Sequence, residues 1–282
     1  MSYVTTKEML KQAQAEAYAV CAFNAENMEM VLAILDTAQE MRAPVIIQTT
    51  PSTLKYASPL QFAANVKAAA EERNVTCALH LDHGDSFALA AKALRAGYSS
   101  VMIDGSKLPL DENIAFTAKA VEMCHAVGVP VEGELGKVGG KEDNVKVDVP
   151  VYTDPDEAVR YVGETGIDLF AVAIGTAHGV YKGEPKLDVD LLSKIRSLTD
   201  VPLVLHGTSG VPLETVQECI RRGICKVNYA TDLRIAYTKG VREYLSANPD
   251  AFDPKKYGEA GMKLVRECVR ERILNCKSDG RA

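Results

Sequence analysis

Three histidines stand at the ends of apolar segments. They are His83 in Leu79-His80-Leu81-Asp82-His83-Gly84, His178 in Ile174-Gly175-Thr176-Ala177-His178-Gly179, and His206 in Leu203-Val204-Leu205-His206-Gly207. The chain has only five histidines in 282 residues, and each of these three is followed by glycine. Three imidazoles converging on one point would hold a divalent transition metal and leave a coordination position open for substrate. That is the arrangement of a catalytic ion, because a structural one is closed by a fourth protein ligand. Asp82, beside the first histidine, would act as a general acid/base or as a partner that orients an imidazole. Asp104 and Glu134 would bind a second metal or hydrogen-bond the ligand rings.

Two further segments carry chemistry. Gly207-Thr208-Ser209-Gly210 and Asn228-Tyr229-Ala230-Thr231-Asp232 combine small hydroxyls with free backbone N–H groups, which suits a phosphate. The stretch from Gly133 to Asp143 holds four glycines and charges of both signs, and continues to about Thr153. It is expected to be irregular, either a mobile lid that carries Glu142 into the site or a solvated loop.

The elements that must position these residues alternate along the chain. Short apolar runs predict strands at Ala19–Asn24, Pro44–Thr49, Thr76–Asp82, Ser99–Asp104, Val129–Glu134, Ile167–Ile174, Val201–His206 and Ile224–Asn228. Between them, apolar residues at three- and four-residue spacing predict helices, among them Met28–Met41, Phe87–Ala96, Ile114–Val127, Asp156–Thr165, Val189–Leu198 and Leu213–Arg222. Gly97, Gly128 and Gly223 sit where helices would end, and Pro44, Pro130 and Pro202 where strands would begin. Eight such units over ~250 residues predict an α/β fold, a (β/α)8 TIM barrel formed as a single domain over residues 1–282, with an extra C-terminal helix at Tyr257–Leu274. No G-x-G-x-x-G follows an early strand, which argues against an open dinucleotide-binding sheet.

In a barrel the strand C-termini share one face, where the active site lies. The predicted ends are Asn24, Thr49, Asp82-His83, Asp104, Glu134, His178, His206 and Asn228, every one polar while the strand interiors are mostly Val, Ile, Leu and Ala. That pattern points to an enzyme. The phosphate-like turns follow the seventh and eighth strands, the recurring phosphate position of this fold. His80 is expected to face the barrel interior in a core role, and His125 to lie at the surface of a helix.

Composition narrows the remaining classes. With 47% hydrophobic and 25% charged residues, the chain can bury a large core. A net charge of -6 without a Lys/Arg run gives no reason to expect nucleic acid. No secretory leader is evident at the start, and no apolar run approaches the ~20 residues that span a bilayer. Seven cysteines without CxxC spacing read as reduced thiols of a cytoplasmic protein.

The motifs Leu81-Asp82-His83-Gly84, Met102-Ile103-Asp104-Gly105-Ser106, Glu132-Gly133-Glu134-Leu135-Gly136 with Gly139-Gly140-Lys141-Glu142-Asp143, Gly175-Thr176-Ala177-His178-Gly179, His206-Gly207-Thr208-Ser209-Gly210 and Asn228-Tyr229-Ala230-Thr231-Asp232 resemble, in one order, those of the class II metal-dependent ketose-bisphosphate aldolases. The likeness covers nearly the whole chain. Within the family it is similar to the tagatose-1,6-bisphosphate branch, including Asp253-Pro254-Lys255-Lys256-Tyr257 and the closing Gly280-Arg281-Ala282. The fructose-1,6-bisphosphate branch is close behind.

The resemblance implies reversible cleavage of a ketohexose 1,6-bisphosphate to dihydroxyacetone phosphate and glyceraldehyde 3-phosphate. One zinc ion per subunit on His83, His178 and His206 would polarise the ketone and stabilise the enediolate. Asp82 would move the proton on the C4 hydroxyl, and Glu142 would exchange the proton on the enediolate carbon. Gly179, Gly207, Ser209, Asn228 and Thr231 match positions that bind the dihydroxyacetone phosphate end; Asn24, Thr208, Tyr229 and Ala230 join them as expected substrate-binding residues. Asp104 and Glu134 match an alternative metal position, and the family often uses a monovalent cation, Na+ or K+, near the phosphate. Family members suggest a homodimer or homotetramer, and some tagatose enzymes work with a non-catalytic partner subunit.

Gly84-Asp85, Thr208 and Tyr229 depart from the usual tagatose pattern, which bears on the choice of sugar more than on the reaction. Three other readings compete. A barrel metallohydrolase would want bridging carboxylates and a His-rich first strand, whereas this one ends in Asn24. A Schiff-base aldolase would use Lys226 in the eighth strand. A non-catalytic sugar-phosphate-binding subunit would have no need of Asp82, Glu142 and all three imidazoles.

Overall fold

The protein's structure, a computed structural model, describes residues 2–142, 145–147, 149–181 and 183–282, without the side chains of Glu142, Val145 and Lys146. In chain order the elements begin with α1 (Thr6–Ala15), β1 (Val20–Asn24), α2 (Met28–Met41), β2 (Val45–Thr49), α3 (Pro51–Tyr56), α4 (Pro59–Arg73) and β3 (Cys77–Gly84). Next come α5 (Phe87–Ala96), β4 (Ser100–Ile103), α6 (Leu110–His125), β5 (Val131–Leu135), β6 (Gly139–Glu142), β7 (Val145–Val147) and α7 (Pro155–Thr165). The last are β8 (Leu169–Val172), β9 (Ala177–His178), α8 (Val189–Leu198), β10 (Leu203–Leu205), α9 (Leu213–Arg221), β11 (Ile224–Tyr229), α10 (Thr231–Ala247) and α11 (Pro254–Asn275).

Eight strands close into a parallel barrel in the order β1-β11-β10-β8-β5-β4-β3-β2, the (β/α)8 arrangement that the alternating pattern predicts. Period-two alternation sorts the side chains. Outward residues such as Phe23, Val45, Ile47, Leu79, Leu81 and Val101 pack under the helical ring. Inward residues Val20, Ala22, Ile46, Ala78, Leu169, Ala171 and Val204 fill the other side, and Met9, Leu10 and Ala13 of α1 pack against them. Nearer the strand C-termini the interior turns polar: Gln48, His80, Asp82, Ser100, Glu132, Glu134, Lys226 and Asn228 are all buried. Apolar packing thus secures one end of the barrel and leaves the other for chemistry.

Of the three glycines read as helix ends, Gly97 caps α5 in the left-handed conformation, and Gly128 and Gly223 have positive φ just beyond α6 and α9; Gly166, which carried no such expectation, caps α7 in the same way. All seven cysteines are free thiols, and all but Cys268 are buried. Among the described residues no helix is long and apolar enough to cross a membrane.

Three expectations need correction. Helices α1, α3 and α4 carry no sequence-based expectation here, and α11 starts earlier than read, at Pro254, where Asp253 caps it by accepting from Lys255 N–H. The segment 133–153 is not irregular throughout: β6 and β7 pair as an antiparallel hairpin. The sixth barrel strand ends at Val172, so His178 is not at its end. The chain turns at Gly175, with φ 113°, and His178 pairs instead with Gly140 of the hairpin. Asp143, Asn144, Asp148 and Lys182 lie outside the described residues.

Asp168, just before β8, ties three elements at the opposite end from the histidines. Its carboxylate accepts from Val131 N–H at 2.9 Å and from His125 Nε2 at 2.7 Å, and lies 3.0 Å from Lys7 Nζ. Burial works against its charge, but these partners outweigh it and hold the carboxyl below its ordinary value. A group depressed in this way stabilises the fold above its unfolded pKa, and the contribution is lost as pH falls through the folded value. Asp168→Asn is therefore expected to cost roughly 1–3 kcal/mol at pH 7. Denaturant unfolding repeated in strong acid should show the two proteins converging.

Candidate active site

Simple alternation along β3 would place His80 and Asp82 inside the barrel and His83 outside it. The backbone breaks the alternation. His83 has φ 47°, and the pairing of β3 with β4 shifts register between Leu81 and Gly84. A left-handed residue in an irregular strand re-aims its side chain, here bringing the His83 ring to the barrel mouth. Gly84 makes the turn sterically possible, since a Cβ there would lie 2.5 Å from the Met102 carbonyl oxygen.

His178 reaches the same point from β9, and His206 from the end of β10. Their ring centroids lie 4.8 Å, 5.2 Å and 6.0 Å apart, and one ligand nitrogen from each comes within 4.8 Å of the others. This is the one group of metal-ligating type found among the described residues. Carboxylates fix two of the rings. His83 Nδ1 faces Asp104 Oδ2 at 2.9 Å, and His206 Nε2 faces Glu132 Oε1 at 2.8 Å. The inner nitrogens, His83 Nε2 and His206 Nδ1, are then 3.0 Å apart. In neutral rings that donate outward, both inner nitrogens carry lone pairs, which repel at this distance unless a cation lies between them. The chemistry of the donor set therefore fits a divalent transition ion, with carboxylates orienting two of the rings from behind.

The electrostatics agree. Burial opposes the charge on Asp104, but the His83 ring and both the hydroxyl and N–H of Ser106 outweigh it and hold the carboxyl well below the usual range. Burial likewise opposes charge on Glu132, yet Lys226, His206 and His80 keep it ionised. Burial drives His206 towards its neutral form, against the pull of Glu132. His80 is driven further the same way, by burial and by the neighbouring Lys226 charge. It is the interior residue expected, with Nδ1 2.8 Å from Ser100 Oγ.

Asp82 sits beside the cluster, Oδ1 4.0 Å from His83 Nε2. Three amides hold it: Asn24 Nδ2 at 2.9 Å and Gln48 Nε2 at 3.2 Å donate to Oδ2, and Asn228 Nδ2 at 3.3 Å donates to Oδ1. These amide donors fix the direction of the Asp82 carboxylate beside the three rings.

Two cavities flank the histidines. The smaller is lined by Asn24, Gly179, Gly207, Thr208, Ser209, Asn228, Ala230 and Thr231, together with Lys141 and Arg234. Thr231 opens the 17-residue helix α10, whose N-terminal N–H groups and dipole favour an anion. The larger, about 450 Å³, extends between the α3 and α6 sides of the mouth and is lined by Asp85, Asp104 and Glu134 and by Lys55, Lys107 and Lys137.

Of the expected site residues, Tyr229 and Thr49 are the ones the structure turns away. Alternation in β11 points Asn228 inward and Tyr229 outward, where its ring stacks on Phe23 at 6.0 Å and lies under Arg272. Thr49 bonds Tyr98 outside the barrel at 2.8 Å, and its neighbour Gln48 takes the inner position. Asp104 stands behind His83. Glu134 Oε2 comes 3.7 Å from His206 Nδ1 but, among the described residues, is not part of the three-histidine group. The Glu142 side chain lies outside the described residues. Lys226 is wholly buried and lines neither cavity, so it is not placed as a Schiff-base nucleophile.

Gln48, Glu132, Arg234 and Tyr181 were missed. Gln48 and Glu132 had a signal: Gln48 lies in register with inward His80 of the neighbouring strand β3, and Glu132 shares the inward parity of Glu134 on its own strand β5. Arg234 lies one turn into α10 and is held by Glu26 at 2.7 Å. Tyr181 had none: its hydroxyl donates to Gly207 O and accepts from Ala177 N–H, both at 2.7 Å, clamping the His178 and His206 loops together.

The sequence model of class-II fructose-bisphosphate aldolases matches residues 4–281. The structure is similar to that of the YdjI aldolase from Escherichia coli K12, with 34% identity, 99% of each chain covered and a TM-score of 0.89. It is also similar to a protein assigned as a fructose-1,6-bisphosphate aldolase from Coccidioides immitis, at 30% identity over 97% of this chain and 96% of that one, with a TM-score of 0.90. The fructose-bisphosphate aldolase of Campylobacter jejuni shares the fold at 23% identity, covering 100% of this chain and 97% of the other, with a TM-score of 0.85.

The contact between hairpin and histidine is testable. A Cβ at Gly140 would fall 2.1 Å from the His178 carbonyl oxygen, so Gly140→Ala must push the hairpin off β9. A loss of zinc affinity of at least ~10-fold is expected, the scale seen when ligand orientation is disturbed. Competition against a chromophoric chelator would measure it.

Proposed function

The chain belongs to the class II fructose-bisphosphate aldolase family, and from that membership we propose that it reversibly cleaves a ketohexose 1,6-bisphosphate to dihydroxyacetone phosphate and glyceraldehyde 3-phosphate. The observation that carries this reading is the three-imidazole nest placed between an anion pocket and a carboxylate held by neutral amides. Tagatose 1,6-bisphosphate is the favoured substrate, on the likeness of the 253–257 and 280–282 segments to that branch. Residues 1–282 act as one domain, in the cytoplasm, as a homo-oligomer.

His83, His178 and His206 would hold zinc, which when bound supplies a Lewis acid for the negative charge that develops at the ketone. The small pocket takes the phosphate next to that ketone. Backbone N–H groups of the Gly179, Gly207 and α10 turns, the Ser209 and Thr231 hydroxyls, and the Lys141 and Arg234 cations anchor it. Anchoring there lays C4 of the sugar toward Asp82, which accepts the C4 hydroxyl proton as the C3–C4 bond breaks and C4 becomes the aldehyde carbon. The released electron pair goes to the dihydroxyacetone phosphate half. Glu142, on the family likeness alone, returns a proton to its C3. Asn24, Gln48 and Asn228 keep Asp82 aimed and exclude water from it.

Cleavage assays on tagatose and fructose 1,6-bisphosphates, each with and without a chelator, test the reading. Activity should fall with chelator and return with zinc; retained activity would remove the metal mechanism, and faster fructose cleavage would reverse the choice of sugar. Asp82→Asn should lower kcat by roughly 10²–10⁴ with KM little changed, since it removes only the proton acceptor.

A further inference from the structure

Lys226 lies within β11 with no exposed surface, its Nζ 2.9 Å from Glu132 Oε2. Glu132, equally buried on β5, presents its other oxygen to His206 Nε2 at 2.8 Å. Enclosing an ammonium and a carboxylate together is a poor route to stability, because their attraction roughly cancels the loss of both hydration shells. Apolar side chains fill other interior positions of the same barrel, Ala22, Ile46, Ala171 and Val204 among them. Packing therefore does not account for the pair.

Its geometry does. Glu132 has a second imidazole within reach, His80, whose Nε2 is 3.5 Å from Oε2. A carboxylate shared between two rings and free to rotate would give His206 no fixed acceptor. Lys226, ion-paired with Oε2 from β11, leaves Oε1 facing His206, which directly follows β10. We propose that the buried Glu132–Lys226 pair is a positioning device: it holds the His206 ring with Nε2–H directed at Glu132 and Nδ1 directed at His83, and so sets the metal affinity of the three-histidine cluster. Neither residue touches substrate, since both are absent from the cavity walls. The inference rests on the reading of that cluster as a metal site.

The test uses wild type, Lys226→Met and the double variant E132Q/K226M, each stripped of metal and shown by circular dichroism to be folded. Zinc affinity is read by chelator competition, and the His206 tautomer by ¹⁵N NMR of the metal-free protein. Both variants are expected to bind zinc at least ~10-fold more weakly. The wild-type ring should be a single Nε2–H tautomer and the variant rings a mixture. The double variant leaves no buried charge unpaired, so it serves if the single one does not fold. Wild-type affinity with an unchanged tautomer in a folded variant overturns the proposal. If wild-type protein binds no zinc, the metal reading fails by itself, and the tautomer comparison still decides whether the pair positions His206.

Discussion

The site depends on one constraint: two imidazoles turn their outer nitrogen to a buried carboxylate, and their inner nitrogens face each other across 3.0 Å. Neutral rings in that arrangement are unfavourable alone and favourable around a cation. The surrounding structure exists largely to hold it. The left-handed backbone at His83 turns one ring inward, and Asp104, locked by Ser106, stops it from turning back. Gly207 packs where a Cβ would lie 2.7 Å from the Ala177 backbone, so the His178 and His206 loops can touch. Tyr181 then fastens one to the other.

The barrel interior divides the work along its axis. Toward the strand N-termini, apolar side chains and α1 provide a dry, well-packed base. Toward the C-termini, buried polar side chains face one another and several are bonded. Gln48 donates to both Asn24 and Asp82, Asn228 donates to Asp82, and Glu132 serves His206 while facing Lys226. Buried polar networks are stable only when their members are mutually partnered, and that requires strands held in fixed register. A closed sheet supplies such a register.

Much of this was legible in the sequence because both of its periods were clear. Eight apolar runs, polar at their ends and separated by helical spacing, specify the barrel and put Asp82, His83 and His206 at its mouth. The parts that were not legible have separate physical causes. Parity misleads at His83, because an irregular strand obeys tertiary contacts, Gly84 against Met102, that no local pattern records. It also decides the case of Tyr229, whose residue type suggests a site but whose place beside inward Asn228 turns it outward. Lys226 reads as a nucleophile until its closed surroundings are known. The glycine-rich 133–143 stretch reads as a loop because one of the two partners of β6, β9, lies more than thirty residues away. Tyr181 acts across 26 residues on a backbone carbonyl, an acceptor every position offers.

His178 differs from the other two histidines in its provenance. It belongs to the three-stranded sheet β7-β6-β9, outside the cylinder, while His83 and His206 are rooted in barrel strands. One of the three clustered rings is therefore inherited with the excursion that roofs the larger cavity. Remodelling that roof together with its histidine would require transplanting Gly136 through Gly179 as a cassette, because a graft that stopped at the hairpin would leave the His178 ring behind.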